Sequence, residues 1–400
     1  MIFYKETNFK KEPFIGEIPT DWEIIKLGDE SVSEIVMGQS PPSSTYNKEG
    51  IGLPFLQGKM EFGEIYPKAL VYCSEPIKIA QPNDILISVR APVGDVNLAP
   101  YKLCIGRGLA AIRFNDKLAN YLFYFYYFQK IKTRLEMLGK GSTFKAIDKD
   151  DLESLMIPLP PVEEQRTVAG VLGVVDSVIA KTDEVIAKTE RLKKGLMQTL
   201  LTRGIGHKEF KDTEIGKIPK EWGIVRLGDV AEIWDKYRIP IKEQDRKPGP
   251  FPYCGANGII DYVDGYTHDG EFVLLAEDGG FFGPFENSAY IMRGKFWANN
   301  HVHILKAIEG VLINKFLMFY LNFMNLVPFF TGSTRPKLTQ DDMKRIPLPL
   351  PSLSEQQKIA EILSTIDKKL KIERQEKARL EKIKQGLMDL LLTGKIRVKV

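Results

Sequence analysis

Two long stretches carry a helical pattern of apolar and polar positions. From Val168, apolar or Thr residues recur at three-four spacing through Val171, Val175, Val178, Thr182, Val185, Thr189, Leu192 and Leu196, with no proline before Gly204. Pro160 and Pro161 precede this stretch, and Glu163-Glu164 opens it with the acidic charge that suits a helix N-terminus. A second stretch follows Pro351, with Ile359, Ile362, Ile366 and Leu370, a polar middle from Lys371 to Lys377, then Leu380, Ile383 and Leu387. Period 3.5 sustained this long predicts a coiled-coil seam. Each helix is expected to run about 37 residues, ~55 Å. Two narrow stripes in one chain can satisfy each other as an antiparallel pair; the alternative is that each helix packs on its own domain.

Elsewhere the pattern is mixed. Short apolar runs such as Asp84-Ile-Leu-Ile-Ser-Val89 and Glu271-Phe-Val-Leu-Leu-Ala276 sit between Gly, Pro, Asn and Asp, as strands do. The aromatic stretches Tyr121 to Phe128 and Phe316 to Phe323 read as buried helices. The charge-free run Phe316 to Thr334 contains Asn322, Asn325, Pro328 and Gly332, which favours a helix and loop over a membrane span.

Laid over itself, the chain repeats. Gly16-Glu-Ile-Pro-Thr-Asp-Trp22 and Lys26-Leu-Gly-Asp29 return as Gly216-Lys-Ile-Pro-Lys-Glu-Trp222 and Arg226-Leu-Gly-Asp229. Gly141-Ser-Thr143 returns as Gly332-Ser-Thr334, and Ile157-Pro-Leu-Pro160 as Ile346-Pro-Leu-Pro349. Glu164-Gln165, Gly195-Leu-Met197 and Leu200-Leu-Thr202 return as Glu355-Gln356, Gly386-Leu-Met388 and Leu391-Leu-Thr393. The order is kept, so the chain is a tandem duplication. Between Asp29 and Gly141, and between Asp229 and Gly332, the halves resist alignment. Similar flanks around different inserts suggest two similar tasks on two different targets. The expected fold is α+β, with mixed α/β domains at 1–157 and 205–346 and long helices within 158–204 and 347–400. Asn8-Phe-Lys10 resembles Glu209-Phe-Lys211, which follows the first helix. That places the N-terminal segment beside the end of the second helix and makes the duplication circular.

Composition narrows the function. The chain has 400 residues, too many for one ordinary core, and 44% hydrophobic with 27% charged residues excludes disorder as its main state. Net charge is only +4, so a polyanion partner must be met by local clusters. The three cysteines, Cys73, Cys104 and Cys254, form no C-x-x-C pair and fit a reducing compartment. The opening MIFYKETNFKKE carries charge where a signal peptide needs an apolar stretch, so a cytoplasmic location is expected. Gly139-Lys-Gly-Ser-Thr143 fails as a phosphate loop, because Arg134 stands where its first Gly is needed and Gly141 follows Lys140. No dinucleotide or adenine-methyltransferase motif appears. His301 and His303 alternate along an expected strand, without an evident third metal ligand. No catalytic residue, cofactor or metal is expected. Basic residues do gather in the inserts: Arg90, Arg107, Arg113, Lys130, Lys132, Arg134, Lys140 and Lys145, then Lys236, Arg238, Lys242, Arg246, Lys247, Arg293, Arg335 and Lys337. Among Gly, Ser, Asn and Tyr they suit phosphate and base-edge contacts.

These motifs together resemble the specificity subunit of type I restriction–modification systems. Gly38-Gln-Ser-Pro-Pro42, Cys104-Ile-Gly-Arg-Gly108 and Tyr253-Cys-Gly-Ala-Asn-Gly258 add to the resemblance, which covers nearly the whole chain. It implies a non-catalytic subunit whose inserts each read one half of a split double-stranded DNA target. It also implies that the helices space the inserts and dock methyltransferase subunits, two of them, with restriction subunits joining through the complex. An antiparallel helix pair would relate the inserts by an approximate two-fold axis, matching duplex DNA, with somewhat more than one turn of about 34–36 Å between them. Unlike inserts imply unlike half-sites and a non-palindromic target.

Candidate DNA contacts are Arg90, Arg107, Ser142, Thr143 and Lys145 in the first insert. In the second they are Tyr253, Asn257, Arg293, Arg335 and Lys337. Arg suits guanine and Asn257 adenine. The Gly-Ser-Thr loops are expected at the DNA backbone, with Lys145 and Lys337 each neutralising a phosphate; alternatively the loops only cap the aromatic helices. Two other functions remain open. One is a DNA-modifying enzyme with an unrecognised centre, which would bind AdoMet unaided. The other is a coiled-coil scaffold, which would show no DNA sequence preference.

Overall fold

The repeated motifs form a small frame in each half. In the computed structural model, which describes residues 2–139, 146–332 and 336–399, Gly16–Pro19 pairs antiparallel with Phe9–Glu12. Gly216–Pro219 pairs in the same way with Phe210–Thr213. The repeated glycine has a physical reason: Gly16 and Gly216 turn at φ of 96° and 98°, where a β-carbon would be strained. Next, Glu23–Lys26 pairs with Met156–Leu159, and Gly223–Arg226 with Pro347–Leu350.

That last pairing corrects the repeat. Ile157 faces Ile25, and its counterpart facing Val225 is Leu348. The true match of Ile157-Pro-Leu-Pro160 is therefore Leu348-Pro-Leu-Pro351, two residues beyond the identical run. Glutamine side chains confirm it: Gln165 Nε2 donates to the Pro160 carbonyl at 2.7 Å, and Gln356 Nε2 to that of Pro351 at 3.0 Å. Each glutamine also accepts the backbone N–H before an aromatic helix, from Asn120 and Ile313 respectively. The Glu-Gln repeat thus ties the long helix to the insert.

The chain divides into two units, Met1–Thr182 with Glu376–Val400, and Asp183–Gln375. Each takes part of both long helices, Val162–Arg203 and Leu353–Leu391, which run 42 and 39 residues. Within the first unit Asp176 pairs with Lys384 at 2.7 Å. Within the second, Lys193 pairs with Asp367 and Glu190 with Arg374, both at 2.6 Å, so numbering rises on one helix as it falls on the other. The two runs are antiparallel there, as the stripes require.

The seam keeps part of the expected stripe and departs from the rest. Val168 and Thr189 are buried as expected, together with Leu172, Asp176, Ile179, Met197 and Leu200, whereas Val178, Val185 and Leu192 are 41%, 38% and 53% exposed. On the second helix Ile359 and Leu370 are buried as expected, but Leu363 and Met388 are buried in place of their neighbours Ile362 and Leu387, and Ile383 is exposed. The first helix carries two neighbouring stripes, and the inward one is interrupted by Asp176 and Lys193. Counting only apolar residues selects the wrong stripe; cross-helix ion pairs let the polar ones face in.

The N-terminal segment Ile2–Lys5 pairs antiparallel with Ile396–Lys399, beyond the second helix, as the circular repeat implies. In the first insert Val96–Leu98, Ile85–Ser88, Leu109–Phe114 and Ser33–Met37 form one antiparallel sheet. A second sheet holds Leu53–Leu56 parallel to Leu103–Ile105. The second insert merges this plan into one six-stranded sheet, with Pro248–Gly255 parallel to Ala289–Ala298. The aromatic stretches are helices, Tyr121–Lys130 and Asn314–Phe323, with Phe123, Tyr124, Phe316 and Phe319 in the cores. Burying each such ring removes 150–250 Å² from water, which explains the density of aromatics there.

Candidate nucleic-acid interface

In the first insert several loops are laced together by main-chain hydrogen bonds. Gly106 N–H donates to Leu56 O at 2.8 Å, Gln39 N–H to Ile105 O at 3.0 Å, and Val89 N–H to Gly108 O at 2.9 Å. Ile147 N–H then donates to Val89 O at 2.9 Å. The loops approach so closely that a β-carbon on Gly38 would lie 2.1 Å from Gly106 O, which accounts for the Gly-Gln-Ser-Pro-Pro motif. The second insert has the same lacing. Asn299 N–H donates to Cys254 O, Ile239 N–H to Ala298 O, Glu277 N–H to His301 O and Leu338 N–H to Glu277 O, all at 2.9–3.1 Å. Inserts that resist alignment as sequences are therefore alike as backbones. Arg107 corresponds to Asn300, Gly108 to His301 and Arg90 to Asp278.

The side chains on this shared frame differ in charge. Arg90 and Arg107 are exposed, and neither guanidinium has a carboxylate partner among the described residues. Around the second frame the charges are already matched. Asp278 pairs with His301 at 2.5 Å and Lys337 at 2.7 Å, while Glu277 holds Arg238 at 2.8 Å. Burial pushes the Asp278 carboxyl up, but hydrogen bonds from Lys337 and His301 outweigh it and hold the group below the usual range. Asp235 behaves alike: burial raises it, and the bond to His303 at 2.6 Å brings it below its ordinary value. His303 also faces the Leu338 carbonyl at 2.7 Å, so its ring is fully occupied. His301 and His303 thus engage different carboxylates rather than one metal.

Among the candidates, Ser142, Thr143, Lys145 and Arg335 lie outside the described residues. Arg90 adjoins the first of those segments, through a backbone bridge to Ala146. Asn257 is exposed and its amide donates to Gly279 O at 3.1 Å, joining two tips of the second frame. The other three have partners within the chain. Tyr253 is only 2% exposed; its hydroxyl bonds Ile241 and Arg246 covers its ring, so it supports the frame from inside. Arg293 pairs with Glu271 at 2.6 Å across the strand ladder. Lys337 is held by two carboxylates, so its charge is matched before any phosphate arrives.

The same sorting removes other cations. Arg113 is paired to Asp84 and Glu34, Lys130 to Asp389, and Lys132 to Asp95. A count of basic residues cannot see these partners, which come from distant strands. Sequence reading passed over Asn300; the available signal was its place in a three-residue turn between two strands, like that of Arg107.

A family model for the type I restriction modification DNA specificity domain matches this chain twice, at residues 19–191 and 219–382. The type I restriction enzyme MjaVIII specificity subunit of Methanocaldococcus jannaschii is 29% identical over 432 residues, covering 100% of this chain and 98% of that protein. The putative MjaX specificity subunit of the same organism is 55% identical over 199 residues, 50% of this chain and 47% of that protein. The chain thus spans about half the length of that relative. The fold is similar to a type I restriction–modification S subunit from M. genitalium, with TM-score 0.64 and 18% identity over 95% of this chain and 98% of that one. A chain from a structural study of type I assembly gives TM-score 0.55 and 19% identity, covering 94% and 99%. The doubled family match, laid over two equivalent frames, means that the chain belongs to the type I restriction–modification DNA specificity family, the non-catalytic recognition component of these systems.

Proposed function

We propose that this chain directs a type I complex to an asymmetric, bipartite target in double-stranded DNA. Residues 1–157 and 205–346 each read one half-site, and the helices within 158–204 and 347–400 set the spacer between them. The helices also dock two methyltransferase subunits, which carry the adenine methylation, and restriction subunits join through that complex in the cytoplasm. Arg90, Arg107 and Asn257 are the described candidates for DNA contact, and Ser142, Thr143, Lys145 and Arg335 are further candidates. The observation that carries this reading is the lacing of both inserts into one backbone frame with chemically different surfaces. A common frame suits a common ligand, the duplex, and different side chains suit different bases.

The test is to co-express the chain with its methyltransferase subunits in a host lacking adenine methylation and to sequence methylated adenines. One bipartite, non-palindromic motif is expected; a continuous or palindromic motif would overturn the proposal. Deleting a matched heptad from each helix, residues 178–184 and 369–375, should shorten the spacer and leave both half-sites unchanged.

A further inference from the structure

We propose that Arg107 and Asn300 are equivalent specificity-determining residues, Arg107 reading a guanine in the first half-site and Asn300 an adenine in the second. This rests on the proposed function and adds to it the bases read.

The turns Gly106-Arg-Gly108 and Asn299-Asn-His301 each link the same two strands of the shared frame. Four matched backbone hydrogen bonds anchor the pair, from Gly106 and Asn299, Gln39 and Ile239, Val89 and Glu277, and Ile147 and Leu338. The flanking groups are tied down as well. Arg107 N–H donates to Ser40 Oγ at 3.2 Å, and Asn299 Oδ1 accepts from His301 N–H at 2.8 Å. At the centre of each turn stands one exposed side chain with no hydrogen-bond partner among the described residues. A fixed main chain presenting an unengaged polar group is the arrangement that recognition requires, because little ordering remains to be done on binding.

The chemistry at this point argues for bases rather than phosphates. Phosphates are identical in both half-sites, so a phosphate contact would favour the same cation in both turns. Instead one turn has a guanidinium and the other a neutral carboxamide. Each is the group that pairs bidentately with one purine in the major groove: Arg with guanine O6 and N7, Asn with adenine N6 and N7. Asn300 is also flanked by His301, whose ring is already engaged by Asp278 at 2.5 Å.

The experiment uses the chain assembled with methyltransferase subunits and duplexes carrying the methylated motif or single-base changes of it. Arg107→Ala should lower discrimination at one G·C pair of the first half-site by about 5- to 150-fold and leave the second half-site unaffected. Asn300→Ala should do the same at one A·T pair of the second half-site, and Asn300→Gln should restore part of it. Both residues are exposed, so the variants should fold. Unchanged discrimination overturns the inference. So does weaker binding to all sequences alike with a lower salt slope, which marks a phosphate contact. A wild-type complex without a bipartite target would instead refute the proposed function, before any variant is made.

Discussion

Each unit closes its long helix with a clasp, and the two clasps use different side chains, a guanidinium in one and an imidazole in the other. In the first, Trp22 Nε1 donates to Glu164 at 3.3 Å, and Arg397 grips Glu164 through two bonds of 2.9 and 2.7 Å. The same guanidinium also holds Asp21 at 2.7 Å and Glu6 at 3.1 Å. In the second, Trp222 Nε1 donates to Glu355 at 3.0 Å, and His207 Nε2 stands 3.0 Å from that carboxylate. Five fixed donors let Arg397 serve three carboxylates; an imidazole has only two nitrogens. The second clasp makes up part of the difference with a backbone donor, Ile205 N–H, 2.8 Å from Glu355. The hydrogen bonds that Arg397 donates to Glu164, ahead of those to Asp21 and Glu6, drive its pKa further up. The guanidinium therefore stays charged at every accessible pH. Equal positions in a duplicated frame need not carry equal chemistry, provided that the buried carboxylate is satisfied.

The comparison can be broken most severely at Glu164. Glu164→Ala leaves a buried guanidinium with only its outer partners, and should cost the first unit about 3 kcal/mol. Hydrogen exchange at Ile396–Lys399 and around Trp22 measures it; unchanged protection would mean that the clasp only decorates the helix end. Glu355→Ala should cost less, about 1–3 kcal/mol, by leaving the Trp222 and Ile205 N–H groups without acceptors. Thermal unfolding of both variants ranks them, and the reverse order would refute the account of the two clasps.

The smallest effect concerns acid. All four histidines, His207, His268, His301 and His303, belong to the second unit. Burial holds His268 below its ordinary value of 6.5, so the folded state binds fewer protons than the unfolded chain as pH falls through that range. Stability from His268 is thus present at neutral pH and fades on acidification. Asp235, held low, adds an acid loss only below the usual carboxylate range. Between pH 7.5 and 5, exchange protection should weaken in the second unit and not in the first. His268→Phe, which keeps a ring against Phe296, should flatten the difference; equal losses in both units would contradict it.

Most of the frame was legible because it is repeated. Identical short motifs mark turns and helix starts, each fixed by local chemistry, and supply both partners of the Trp–Glu clasp. The register of the proline run was not, since identity favoured Ile346 while strand pairing selects Leu348. The helix phase was missed for a related reason: Asp176 and Lys193 face inward only because their partners come from the other helix. The candidate interface was half legible. Arg107 and Asn257 stand exposed where expected, but the neutralisation of Lys337 and Arg293 depends on carboxylates far along the chain.

The pairing of Ile2–Lys5 with Ile396–Lys399 has a consequence for synthesis. A ribosome usually releases folded domains in order from the N-terminus. Here the second unit is one unbroken segment, Asp183–Gln375, and holds all its parts as soon as that segment emerges. The first unit must wait for Arg397, the guanidinium that neutralises Glu164, because that residue follows the whole of the second unit in the chain. The half translated first is thus completed second, and until then Ile2–Lys5 lacks its partner strand and Glu164 its guanidinium.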